Sequence, residues 1–184
     1  MSLILLGILN SQAAAAGGGA GYDLLETQTL TGSAASVTFT GLGSYTDYKH
    51  LQLRFVSRGS SSVLPYARLN SDTGSNYASH RLNGDGSSAG SDAFTSISNL
   101  YLGIQASSFV DANTFGVGVV DFLDFSNSNK NTTIRVLSGI AGNYNNIFLN
   151  SGLWNNTNAV TQIQLFPDAG DFIAGSRFSL YGVR

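Results

Sequence analysis

Two carboxylates stand in an otherwise apolar run, Val119-Val120-Asp121-Phe122-Leu123-Asp124-Phe125. Paired carboxylates in a water-poor setting are what general acid and base work requires. In an extended strand, however, residues three apart point to opposite faces, so Asp121 and Asp124 are not placed to share a substrate. The spacing predicts instead that one pairs with an arginine such as Arg54 or Arg135 and the other meets solvent. Gly86-Ser87-Ser88-Ala89-Gly90 matches the G-x-S-x-G nucleophile elbow, which needs a strand before it and a helix after it. Both histidines, His50 and His80, precede Ser88, against the order of that fold. Gly84-Asp85-Gly86-Ser87-Ser88-Ala89 is also a loose dinucleotide fingerprint, but no βαβ unit surrounds it. Turn formation accounts for both matches. Asp72, Asp85 and Asp92 offer loop oxygens to a calcium ion, without the spacing of an EF-hand. The absence of cysteine excludes disulfides, zinc thiolate sites and a thiol nucleophile. No catalytic residue, cofactor or metal site is assigned, and the expectation is a protein without enzymatic activity.

What remains is binding. Polar turns at Leu69-Asn70-Ser71-Asp72-Thr73-Gly74 and Leu82-Asn83-Gly84-Asp85-Gly86 flank the run from Tyr77 to Leu82, and Asp72, Asn76, Tyr77 and Asp85 are candidate ligand-binding tips. Trp154, Tyr144, Tyr101 and Tyr181 could stack on sugar rings if they share a face, although aromatic side chains in such chains more commonly fill a core or a subunit interface.

The elements that must position these residues are strands. Tyr48 to Arg58 alternates cleanly: Leu51, Leu53 and Phe55 fall on one face, and Gln52, Arg54, Val56 and Arg58 on the other. Further short runs cover Tyr22 to Leu30 and Ala35 to Thr40, expected to pair with each other across Gly32-Ser33. They continue through Leu64 to Leu69, Tyr77 to Leu82, Phe94 to Ile104 and Thr114 to Phe125, the last strongly apolar. After the polar connection Ser126 to Asn131 come Thr132 to Ile140, Ile147 to Trp154, Ala159 to Phe166 and Arg177 to Val183. No window carries a helical period. The expected fold is all-β: an antiparallel two-sheet β-sandwich, jelly-roll-like, of about ten strands.

Residues 1–21 read differently. Leu3, Ile4, Leu5, Leu6, Ile8 and Leu9 form an apolar head ahead of an Ala and Gly tract. The head is far shorter than the ~20 residues that cross a bilayer, and it lacks the positive start of a secretory signal, so no membrane span and no cleaved signal peptide are expected. Apolar residues on such a tether should dock on their own domain or on another chain, which makes residues 1–21 an anchoring arm and residues 22–184 the domain. Only 11% of the 184 residues are charged, with 22 glycines and a net charge of -2. That balance offers no basic patch for nucleic acid and leans towards an assembly subunit, since weakly solvated surfaces are cheap to cover.

Several segments together resemble a family of small tailed-phage virion proteins. They are Gly7-Ile8-Leu9-Asn10-Ser11-Gln12 with Tyr22-Asp23-Leu24-Leu25-Glu26-Thr27; Tyr48-Lys49-His50-Leu51-Gln52-Leu53-Arg54; Leu69 to Tyr77; Asp121 to Phe125 with Asn129-Lys130-Asn131; Ser151-Gly152-Leu153-Trp154; and the ending Ala174 to Arg184. The resemblance implies a structural virion component with a β-sandwich fold, made in the host cytoplasm and carried on the particle surface. It implies a homo-oligomer, often a trimer, and no enzyme activity. On that footing the arm would dock on the major capsid protein or another virion protein, as in a capsid decoration or cement protein. The other expectation is a tail or head fibre module binding host surface polysaccharide through the tips at Asp72 and Asp85.

Overall fold

The computed structural model describes residues 21–184. The arm residues Leu3, Ile4, Leu5, Leu6, Ile8 and Leu9 therefore lie outside the described part. The first six strands are β1 (Tyr22–Thr29), β2 (Val37–Phe39), β3 (His50–Ser57), β4 (Pro65–Leu69), β5 (Tyr77–Gly84) and β6 (Ala89–Ile97). The next six are β7 (Leu100–Tyr101), β8 (Gly116–Leu123), β9 (Thr132–Ile140), β10 (Asn146–Trp154), β11 (Ile163–Pro167) and β12 (Arg177–Val183). They form two sheets, one in the order β1-β12-β3-β8-β9-β10-β5-β6 and the other in the order β2-β11-β4-β7.

That order is a jelly roll with additions. β1 pairs with β12, β2 with β11, β3 with β8 and β4 with β7, each antiparallel. Successive pairs alternate between the sheets, as when one long hairpin is rolled into a double-sheet barrel. Two further hairpins, β5 with β6 and β9 with β10, both add to the larger sheet beyond β8. The sandwich expected from the sequence is therefore the fold, with twelve strands among the described residues in place of about ten. Part of the excess lies between Phe94 and Ile104. There a bend at Ser98 and Asn99 divides what reads as one strand into β6 and the short β7, and Ser96, at φ 54°, sits at an irregularity in the pairing of β6 with β5.

The expected pairing of β1 with β2 is corrected. The chain between them crosses from one sheet to the other: Leu30 N–H donates to Ser176 O at 2.9 Å and Ala34 N–H to Phe172 O at 2.9 Å. A long-range partner satisfies each strand, because a Greek key returns the chain to strands distant in sequence.

The core lies between the sheets, where the period of two places it. Leu51 and Leu53 of β3, Val120 and Phe122 of β8, Ile134 and Val136 of β9, and Phe178 and Leu180 of β12 are all buried, facing Phe39, Leu69 and Leu165 of the smaller sheet. Each fully buried Leu, Ile, Val or Phe of this kind contributes ~1.5–3 kcal/mol. Close packing leaves Gly118 no alternative: a Cβ there would run into the Phe55 ring.

Candidate functional site

The outward side of the larger sheet departs from the usual division of an antiparallel sheet into an apolar core face and a polar water face. Val119 of β8 stands opposite Leu137 of β9, Leu137 opposite Leu149 of β10, and Leu149 opposite Leu82 of β5. The four make one continuous row across the strands, and their exposures run from 37% at Val119 to 53% at Leu137 and Leu82. In the neighbouring row Val117 and Ile147 both stand opposite Gly139. The missing side chain at Gly139 opens a shallow apolar groove of about 440 Å³ bounded by Val117, Val119, Leu137 and Ile147. Contiguous exposed apolar patches of this kind are uncommon on a surface that meets only water.

The row on the other side of the apolar one is polar, and its charges are satisfied within the chain. Asp121 accepts from Gln52 Nε2 at 2.8 Å and from Arg135 Nη2 at 2.6 Å. Gln52 in turn accepts from Arg54 Nε at 2.8 Å, and the Arg54 guanidinium lies over the Tyr181 ring at 4.4 Å. One of the two carboxylates is expected on an arginine such as Arg54 or Arg135, and it is Asp121 that takes Arg135. Asp124 lies just past the end of β8 at φ 51°, where it pairs with Lys130 and meets His50 Nδ1 at 3.3 Å. Its carboxyl is held below the ordinary value, chiefly by the Lys130 hydrogen bond and against the upward push of burial. Asp124, expected to meet solvent, is held by Lys130 and His50 instead, so the two carboxylates serve separate neighbours.

A second depression, polar and about 640 Å³, opens where Thr46, Asp47, Tyr48 and Lys49 face Asp124, Ser126, Asn127 and Asn129 of the β8–β9 connection. Hydroxyls, amides and carboxylates line it, a chemistry suited to a polar ligand.

The loop tips expected to bind a ligand do not form one site. Tyr77 is only 1% exposed, and its hydroxyl donates to Asp72 O at 3.0 Å while its ring stacks on Trp154 at 6.5 Å. Burial pushes its hydroxyl up to about 12. Tyr77 is therefore a core residue and not a ligand-binding tip. The Asp72 carboxylate accepts from Trp154 Nε1 at 2.8 Å, Gly74 N at 2.8 Å and Asn76 Nδ2 at 3.0 Å. Burial raises the Asp72 value, but these donors outweigh it and hold the carboxyl below the ordinary range. Asp85 accepts from the backbone of Ser87 at 2.8 Å and Ser88 at 2.7 Å, and those two donors lower its value. Asp72 precedes β5 and Asp85 follows it, so roughly 23 Å of strand separates them. Both cap their own turns.

The serine elbow is likewise a turn. Asp85 N–H donates to Ser88 O at 3.2 Å, and Ala89 and Gly90 begin β6 where a helix would be required. Of the four aromatics, Trp154 is core, Tyr101 stacks on Phe94 at 4.7 Å, Tyr181 lies under Arg54, and Tyr144 sits half-exposed between β9 and β10. They share no platform.

Arg58 departs from the side that the period of two predicts for it. Arg58 was expected on the outward face with Arg54, yet it is 8% exposed. β3 ends at Ser57, and Arg58 turns in to donate to the carbonyls of Val110 at 2.9 Å, Asp111 at 2.9 Å and Thr114 at 2.8 Å. Its fork holds the connection into β8, on which Phe109 is 76% exposed. Nothing in the local pattern distinguishes it from Arg54. The apolar face had a signal: Thr114 to Phe125 carries Val at both parities, the mark of a strand covered on both sides.

The chain matches no family model, and no curated protein matches it. Among solved structures it is similar to the crystal structure of exo-inulinase from Aspergillus awamori, with 11% identity and a TM-score of 0.36. The match covers 89% of this chain and 29% of that chain, so this chain spans under a third of the enzyme's length. A likeness this low carries no argument about activity.

Proposed function

We propose that this chain is a non-enzymatic structural subunit of a bacteriophage virion, a capsid decoration or cement protein that assembles as a homotrimer and docks on the major capsid protein through its arm. The observation that carries the reading is the apolar outward row Val119, Leu137, Leu149 and Leu82, bordered by charges already paired within the chain. Such a face loses little on being covered by protein, and covering it removes apolar area from water at about 25 cal/mol per Å². The segments quoted above that resemble small tailed-phage virion proteins point the same way, as does the 11% charged content. Immunogold electron microscopy of purified particles with an antibody to this chain tests it. Label over the head supports a decoration protein; unlabelled particles would overturn the virion reading.

A second reading, a fibre module that binds host polysaccharide, is favoured by the polar depression between Asp47 and Asn129 and no longer by the tips at Asp72 and Asp85. Label confined to the tail, with glycan-array binding lost on Asn127→Ala, would select it.

A further inference from the structure

Two apolar elements of this one chain call for cover. The first is the outward face of β8, β9, β10 and β5, with Val117, Val119, Leu137, Ile147, Leu149 and Leu82 all more than a third exposed. The second is the arm segment Leu3 to Leu9, which carries six Leu and Ile side chains around Gly7. Left open, either one would drive aggregation of the unassembled protein.

The chain is long enough to bring them together. β1 begins at Tyr22 on the edge of the same sheet, six strand positions from β5, or about 29 Å at ~4.8 Å per strand. Residues 10–21 span up to about 40 Å when extended, at ~3.3 Å each. A seven-residue extended segment is about 23 Å long, enough to cross all four strands of the patch. Gly139 supplies a notch between Val117 and Ile147 where an inserted Leu or Ile can sit, since nothing but Asn146 O at 3.4 Å and the Ile147 side chain at 4.0 Å approaches a Cβ there. Tethering also raises the effective concentration of the arm at this face to the millimolar range, above that of any free copy at working dilution.

We propose that in the unassembled subunit the apolar segment Leu3 to Leu9 lies across the outward face of β8, β9, β10 and β5 of its own chain, with a side chain in the Gly139 notch. The inference rests on the proposed reading only in taking the segment as a docking element. Docking on a particle then exchanges one apolar seat for another and uncovers the sheet face in the same step.

The chain has no cysteine, which makes the test clean. The full-length double variant Leu5→Cys with Leu137→Cys is oxidised at low micromolar concentration beside a control pair, Leu5→Cys with Gln164→Cys, whose second site lies on the smaller sheet. The expected result is a disulfide within one chain for the first pair, formed at least ten-fold faster than for the control. A disulfide between chains would assign the face to another copy and overturn the proposal, as would equal or absent cross-linking in the two pairs. Leu137→Arg supplies an independent reading, because it charges the seat without touching the core. Elastase should then remove the arm about ten-fold faster than from the parent; an unchanged rate would overturn the seat. Neither experiment uses particles, so either can fail while the immunogold result stands.

Discussion

Trp154 donates from its indole nitrogen to Asp72 Oδ2 at 2.8 Å, joining residues 82 positions apart. The contact ties the end of β10, a strand of the added hairpin, to the turn between β4 and β5. Tyr77 completes it by stacking on Trp154 and donating to the Asp72 carbonyl. The added hairpins are therefore fastened to the jelly roll by a carboxylate that, read from sequence, looks like a ligand.

Replacing that carboxylate should cost stability. Asp72→Ala leaves the indole N–H of a buried tryptophan without an acceptor, and a loss of ~1–3 kcal/mol is expected. Asp72→Asn keeps an acceptor and should lose less. Urea unfolding followed by the fluorescence of the single tryptophan measures both; equal midpoints for Asp72→Ala and the parent would remove Asp72 from this role.

Acid should unfold the domain through the same group and two others. Asp72, Asp85 and Asp124 all titrate below the ordinary value of 3.8 when folded. A depressed carboxylate contributes stability that is present above its unfolded value and lost as pH falls through its folded one. The melting temperature should therefore hold at neutral pH and drop as the pH goes below 3.8. Asp72→Asn should flatten that drop, and an unchanged slope would count against the Asp72 contribution.

Arg58 is predicted to be irreplaceable by lysine. Its guanidinium meets three carbonyls at once, and a single ammonium cannot reproduce the planar fork. Arg58→Lys and Arg58→Ala should each lower unfolding free energy by at least ~2 kcal/mol. Hydrogen exchange in residues 107–114 should accelerate in both, while protection at β9 is kept. Full rescue by lysine would show that charge alone suffices.

Gly118 should tolerate no side chain unless Phe55 yields. Gly118→Ala forces the Phe55 ring aside at an expected ~1–3 kcal/mol, the range for overpacking a core. Phe55→Leu added to it should recover part of the loss. Additive losses in the double-mutant cycle would place the strain elsewhere.

The fold class was legible because side-chain period is a local property. The run from Tyr48 to Arg58 showed Leu51, Leu53 and Phe55 on one face, and the structure buries all three. That a carboxylate of this run would find an arginine was legible too, but the register that sets Asp121 opposite Arg135 was not. Partners across the Greek key were not: the pairing of β1 with β12 and β2 with β11 depends on where the chain returns, and no local pattern encodes it.

The sequence by itself determined that this chain makes strands and that their alternate residues fill a core. Tertiary structure alone decided which side of a polar residue would find donors. It turned Tyr77 inward and spent Asp72 on Trp154. It closed Arg58 over three carbonyls and aligned Val119, Leu137, Leu149 and Leu82, which lie on four separate strands, into one apolar row. The physical reason is that burial and hydrogen-bond satisfaction are set by neighbours distant in the chain, whereas the period of two is set by the backbone at each residue.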